Sequence, residues 1–443
     1  MRCVLIQPPL CDPSCPPLGL SYLAAALAEA GVDYFVEDLN LDFLGYLSGE
    51  NVQDLKSVYS CSSTYLDALT KLRADFEARN APDQPLKYEP FTITIPGSEG
   101  DLSAMRAAAC DSNGHLHRWL QQSPAARRLA AAMPDWVGIS VSFIGQLPAA
   151  FAIANYCRHQ LTTSVIFGGA LFNDFAAYLN LAAPAWKDAD GVILGAGESL
   201  VSRMIRLPDG RIAPPNHRRD FPGNRWWAKD PNETAPPVSD FSRFPLDLYR
   251  APGRVLPFRA FSSCSWGRCA FCADAKYRCH TATADGKVGS ITQQVMRLVK
   301  EYAAQGIYFL DAELPGKFLV EFAEKLNTVG DSPPRWGGNA RFSSLLSKPA
   351  TAEALFASGC RLLRFGLESG SPRILKRMDK GITPNLASKV LKALHQVGIA
   401  THVYLMKGFP GETETDWQAT GGGEPVGFLL ARCRIGSVRS SSG

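Results

Sequence analysis

Phe261-Ser-Ser-Cys-Ser-Trp-Gly-Arg-Cys-Ala-Phe-Cys272 places Cys264, Cys269 and Cys272 within nine residues, spaced Cys-x4-Cys-x2-Cys. Small residues between them, Ser265, Gly267 and Ala270, let the loop curl inward so that three thiolates can converge on one metal centre. Cysteine thiolates are the usual ligands of iron–sulfur clusters. A four-iron cluster held by three cysteines keeps one iron for a non-protein ligand. Two other uses stay open. The trio could be part of a zinc site completed by Cys279 or His280, or a set of buried structural thiols.

Outward from this loop, the flanking residues decide the fold. Residues 257–262 read as a strand that enters it. A helix at 290–305 follows, then strand 306–311, helix 315–327, strand 335–341, helix 349–358, strand 361–368, helix 384–397 and strand 399–406. A run of strand–helix repeats predicts a parallel barrel or part of one, with the chemistry at the carboxyl ends of the strands. The cysteine loop, Asp311, Glu313, Arg341, Glu368 and Gly408-Phe-Pro-Gly411 all fall at such ends.

Ahead of the loop a second alternation occupies residues 1–206. Strands are expected at 2–7, 33–38, 135–142, 164–169 and 190–198, with helices at 16–31 and 147–160. Residues 41–132 read as a helical insertion, with amphipathic helices near 64–79 and 115–132 and a polar loop at 80–102. The strand ends carry Ser140 and Ser142, Gly168 and Gly169, and Gly195-Ala-Gly-Glu198. Loops at these ends line the ligand crevice of an open α/β sheet, and glycines let a large flat ligand approach the backbone. Taken singly, each is equally a tight turn before a helix. The pair Cys11 and Cys15 is read as ordinary thiols beside the first turn. Residues 207–256, rich in Pro, Asn, Asp and Arg, read as a linker with a short hairpin near 207–213. Residues 257–420 make the second domain. Residues 421–443 form a Gly/Ser-rich tail too short to finish and cap a barrel, as a truncation or a shifted reading frame would produce.

Composition bounds the rest. At 443 residues, 46% hydrophobic and 20% charged, the chain has ample core for two globular domains. A net charge of +4 is too mild to argue for nucleic acid or a membrane surface. No apolar run approaches the roughly 18–20 residues of a membrane helix, and no secretory signal opens the chain. These features predict a cytoplasmic protein whose twelve cysteines stay reduced.

On these residues the second domain resembles the radical SAM superfamily, with Phe271 as the aromatic before the last cysteine. The superfamily's commonest spacing is Cys-x3-Cys-x2-Cys; the first gap here is one residue longer. The whole chain, to about residue 418, resembles the cobalamin-binding branch through Pro16-Pro-Leu-Gly-Leu20, Glu37-Asp-Leu-Asn40, residues 140–143, Gly168-Gly169 and Gly195-Ala-Gly-Glu198. The resemblance implies an α/β chain: a Rossmann-like open parallel sheet of the cobalamin-binding type, then a partial (βα)6 radical SAM barrel that lacks its last strand. It implies that Cys264, Cys269 and Cys272 hold a 4Fe–4S cluster whose open iron takes the amino and carboxylate groups of S-adenosylmethionine (SAM). Asp311 and Glu313 would lie near the methionine amino group, Arg341 near its carboxylate, Glu368 near the ribose, and Gly408 and Pro410 near the adenine. Elsewhere such carboxylates serve as helix caps, and such an arginine as a surface ion-pair partner.

Cobalamin would lie against Ser140, Ser142, Gly168, Gly169, Gly195, Gly197 and Glu198. The Asp-x-His-x-x-Gly signature of cobalamin mutases is absent, so no histidine is named as a lower ligand. The implied activity is reductive cleavage of SAM to a 5′-deoxyadenosyl radical, followed by methyl transfer from cobalamin to an unactivated carbon. The implied partners are a natural-product, small-molecule or peptide-like substrate and an electron donor such as a flavodoxin or ferredoxin, with no nucleic acid and no membrane. The alternatives are a non-methylating rearrangement, cyclisation or oxidation; a zinc-stabilised or cobalamin-sensing protein without turnover; and an inactive fragment.

Overall fold

The computed structural model describes residues 1–48, 74, 87–89, 92–94, 101–174, 179–222, 225–230, 236–251, 253–261, 264–272, 288–329, 333–421 and 435–437. The chain divides into two compact units, Met1–Arg254 and Val255–Gly443.

In the first unit, seven strands form one sheet: β1 (Arg2–Gln7), β2 (Asp33–Asp38), β3 (Trp136–Ser140), β4 (Ser164–Gly168), β5 (Gly191–Leu194), β6 (Arg218–Phe221) and β7 (Arg225–Lys229). Their spatial order is β6-β7-β5-β4-β3-β1-β2. Every pairing is parallel except that of β6 with β7. Strand order therefore reverses between β1 and β3, the switch point at which doubly wound sheets bind ligands outside the strands' carboxyl ends. The inner strands β1, β3, β4 and β5 are buried along most of their length, as parallel strands covered on both faces are, while the edge strand β2 alternates buried and exposed residues. Leu18–Glu29 turns Leu20, Ala24 and Leu27, four and three residues apart, into the core, and stops before Gly31 at φ 66°. Behind β4 and the helix Leu147–Gln160, the rings of Phe151, Phe167 and Phe172 surround Trp186 at 5.0, 5.4 and 5.5 Å.

Three readings of this unit change. The helix expected at 115–132 is two helices, His115–Gln122 and Pro124–Ala132, because Pro124 has no N–H to continue the first. Ser123 accepts from the Ala126 N–H to cap the second. Part of the expected polar loop is a hairpin, Lys87–Glu89 with Thr92–Thr94, that buries Ile93. The segment read as a linker supplies β6 and β7. Trp226 is fully buried, packed so closely over Gly191 that no side chain fits there. Tyr249, also buried, donates to Asp38 at 2.8 Å. The expected hairpin is present between Ile205–Arg206 and Ile212–Ala213. The expected helix at 64–79 lies outside the described residues.

In the second unit, β8 (Val255–Phe258), β9 (Gly306–Leu314), β10 (Arg335–Ala340), β11 (Cys360–Glu368), β12 (Ala400–Lys407) and β13 (Ile435–Ser437) form one all-parallel sheet in chain order. Helices Val288–Tyr302, Gly316–Asn327, Pro349–Ala357 and Pro384–Gln396 alternate with the strands. Phe261 lies three residues past the carboxyl end of β8. The expectation of a missing sixth strand is corrected. Ile435–Ser437 pairs in parallel with Leu405–Lys407, because the outer edge of β12 offers unpaired backbone groups that three extended residues can take.

Candidate active site

Asp311 and Glu313 sit two residues apart on β9, so both carboxylates point to one face. That face meets the start of the cysteine loop. Fully buried Asp311 accepts the Ala260 N–H at 3.0 Å and also the Phe261 N–H. Burial pushes its carboxyl up to about 6, against the lowering effect of those two N–H donors. Glu313 accepts the Ser265 N–H and the Ser265 hydroxyl, each at 2.8 Å, and the Cys264 thiol at 3.2 Å. The two carboxylates expected against the methionine amino group are thus placed on the loop that carries the cysteines. The Asn339 side-chain amide donates to the Asp311 carbonyl at 2.7 Å and ties β10 to the same point.

The loop turns at Gly267, whose φ of 56° suits glycine, and again where the Cys272 N–H reaches the Cys269 carbonyl at 3.1 Å. All three cysteines are half-buried free thiols. Burial raises the Cys264 thiol above its ordinary value, and the neighbouring Glu313 charge adds to this; metal binding would have to remove that proton. Among the described residues no three His, Cys, Asp or Glu side chains are gathered closely enough to hold a single metal ion. A cubane cluster spaces its thiolates on separate irons, farther apart than the ligands of one ion. Three half-buried thiols on one short loop are the donor set that such a cluster takes. The alternative zinc ligands, Cys279 and His280, lie outside the described residues.

Around the loop stand the other strand ends. Arg341 stacks over the Trp266 ring at 4.3 Å and donates to the Lys380 carbonyl. Glu368 ends β11 at φ 66°, a left-handed conformation uncommon outside glycine and asparagine, and accepts from Lys380 Nζ at 3.0 Å. The Phe271 ring meets Phe409 edge-on at 6.5 Å, joining the loop to the turn that carries Gly408 and Pro410. In that turn the Gly408 N–H donates to Glu412 at 2.6 Å. Glu412 Oε1 is buried and has no hydrogen-bond partner among the described residues, an acceptor left over for a ligand's donor. Behind it, Arg373, Ser371 and Thr413 hold the Asp416 carboxyl well below the usual carboxylate range. Cys264, Glu313, Arg341, Glu368 and Gly408 therefore belong to one neighbourhood centred on the cysteine loop. Trp266, Asp379 and Lys380 are part of it although the sequence reading did not single them out. Gly381, after a helical run and just before the Thr383-Pro384 helix start, was the available signal for a turn there.

Residues 261–421 match the Radical SAM superfamily. Over 304 residues the chain is 28% identical to an uncharacterized methyltransferase of Pyrococcus horikoshii, covering 65% of this chain and 63% of that protein. Among solved structures, the cobalamin-dependent SAM radical enzyme OxsB, with aqua-cobalamin bound, superposes at a TM-score of 0.55 and 13% identity. That likeness covers 95% of this chain and 51% of OxsB. The radical SAM methyltransferase TsrM from Kitasatospora setae, with cobalamin and a [4Fe-4S] cluster bound, superposes at 0.52 and 16% identity over 95% of this chain and 72% of TsrM. The chain thus spans less than two thirds of the Pyrococcus relative and about half of OxsB. At such identities the structural likeness shows the fold alone: a parallel α/β sheet in each unit.

The carboxyl ends of the first sheet hold the residues expected against cobalamin. Gly169, at φ 108°, presses so near the Val141 backbone that a Cβ would stand 2.5 Å from its carbonyl oxygen. Gly195, at φ 80°, donates its N–H to Asn173 at 2.6 Å. Ser142 and Phe143 give their N–H groups to Gln146, which leaves Phe143 and Ile144 62% and 56% exposed beside the switch point. Gln7 Oε1, at the end of β1, is buried without a partner among the described residues. Exposed apolar side chains, bare glycines and a leftover acceptor fit a large flat ligand with polar edges.

Proposed function

We propose that this chain is a cobalamin-dependent radical SAM methyltransferase that acts on an unactivated carbon of a small-molecule or peptide-like substrate. The observation that carries the reading is the loop of Cys264, Cys269 and Cys272, fixed to β9 by Asp311 and Glu313 inside a segment that matches the radical SAM superfamily. Cys264, Cys269 and Cys272 would hold the 4Fe–4S cluster. Arg341, Glu368 and the Gly408–Glu412 turn would grip SAM. When bound, the cluster would supply an electron, SAM a cleavable sulfonium and cobalamin a methyl carrier.

The protein's own part is positional. Asp311 and Glu313 hold the start of the loop, the Phe271 ring packs edge-on against Phe409, and Glu412 keeps an acceptor open for a donor edge. Small-molecule methylation is supported by TsrM, which has been captured with tryptophan as its substrate, and by the name of the Pyrococcus relative. An external one-electron donor of the flavodoxin or ferredoxin type completes the scheme.

The test is anaerobic. Reconstituted protein given SAM and dithionite is expected to release 5′-deoxyadenosine, and the Cys264/Cys269/Cys272 triple alanine variant none. Release by the triple variant would refute the cluster role. With a substrate in hand, a mass gain of one methyl separates methylation from rearrangement or oxidation.

A further inference from the structure

The helix Pro372–Arg377 ends in a turn whose carbonyls would be orphans. Asp379 adopts φ 48° and the Lys380 N–H reaches back to the Leu375 carbonyl at 3.0 Å, which stops the helix. The next carbonyls point away from the helix, and each is taken by the candidate active site. The Met378 carbonyl accepts the Ala270 N–H at 2.9 Å. The Asp379 carbonyl accepts the Trp266 indole N–H at 2.7 Å. The Lys380 carbonyl accepts Arg341. The Asp379 carboxylate adds Arg268 at 3.0 Å, and Gly381 lies flat against the Trp266 ring, where a Cβ would overlap it. Five successive contacts thus bind this turn to the cysteine loop and to the arginine stacked on it.

The Lys380 side chain reaches the other way. Its ammonium is 3.0 Å from Glu368, both side chains being about one-tenth exposed, and 5.4 Å from the centre of the Phe271 ring. The pair lies over Gly366, where a Cβ would stand 2.8 Å from Nζ. Glu368 is held in a left-handed conformation at the end of β11, and such a conformation persists only when its surroundings over-determine it.

We infer that Lys380 is a positioning residue that couples the cysteine loop to Glu368: its backbone and turn grip the loop while its ammonium fixes the carboxylate. The inference rests on the reading of Glu368 as a SAM contact. It assigns Lys380 no contact with SAM. Removing the ammonium leaves a buried carboxylate uncompensated and free to swing, while the loop keeps its backbone contacts.

The test uses the full chain, reconstituted anaerobically, with iron content and SAM affinity by equilibrium dialysis as separate readouts. Lys380→Met is expected to keep the iron content of the unmodified protein and to weaken SAM binding by about ten-fold or more. In a Glu368→Gln background the same substitution is expected to change nothing further. Affinity within twofold of the unmodified protein, or a full effect that persists beside Glu368→Gln, overturns the inference. Should Lys380→Met fail to fold, Lys380→Arg carries the same comparison, with a smaller loss that again vanishes beside Glu368→Gln. An unmodified protein that holds no iron or binds no SAM would defeat the proposed function itself, a distinct outcome.

Discussion

Asp311 shows how a side chain's partners decide its role. Its carboxylate, at a strand end, accepts the Ala260 and Phe261 N–H groups. Asp311→Ala should leave both without an acceptor and cost about 1–3 kcal/mol for each, measured by denaturant unfolding, whereas Asp311→Asn keeps an acceptor and loses less. Asp38 makes a second, independent case. Burial raises its carboxyl to about 6, while the Tyr249 hydroxyl and the Asn40 N–H work against that rise. Since the folded value lies above the unfolded one, the folded state keeps its proton longer as pH rises. Stability should therefore fall between about pH 4 and pH 6 and then level off, by an amount on the order of 3 kcal/mol from this group. Thermal melts across that range should show the slope, and Asp38→Asn should flatten it. Neither partner set was legible in the sequence, because Asp311 and Asp38 meet groups 51 and 211 residues away.

At the level of elements, the alternation of strands and helices was legible because buried parallel strands are continuous apolar runs bounded by turn residues. What periodicity could not show was the break at Ser123-Pro124, where two short helices share one amphipathic pattern. Nor could it show the 378–381 turn as part of the site, since its contacts run through backbone carbonyls that carry no sequence signature. The aromatic cluster behind β4 is the element on which the first unit's packing leans. Trp186→Ala removes the ring that Phe151, Phe167 and Phe172 enclose and should destabilise the unit by about 3–5 kcal/mol, read as a lowered unfolding midpoint in far-UV circular dichroism. A Trp186→Phe variant, which keeps much of the volume, should lose less.

The molecule as a whole has two compact units, divided between Arg254 and Val255. The segment before that division looked like a linker by composition. Trp226 and Tyr249 anchor it in the first unit through burial that composition does not encode. The chemistry proposed for the chain reduces to whether three thiols on one loop share a metal–sulfide cluster. Anaerobically reconstituted protein should be brown, with iron and acid-labile sulfide in equal amounts and an electron paramagnetic resonance signal after reduction that shifts when SAM is added, all lost in the Cys264/Cys269/Cys272 triple alanine variant. A colourless protein carrying zinc, or iron and sulfide retained in the triple variant, would contradict it.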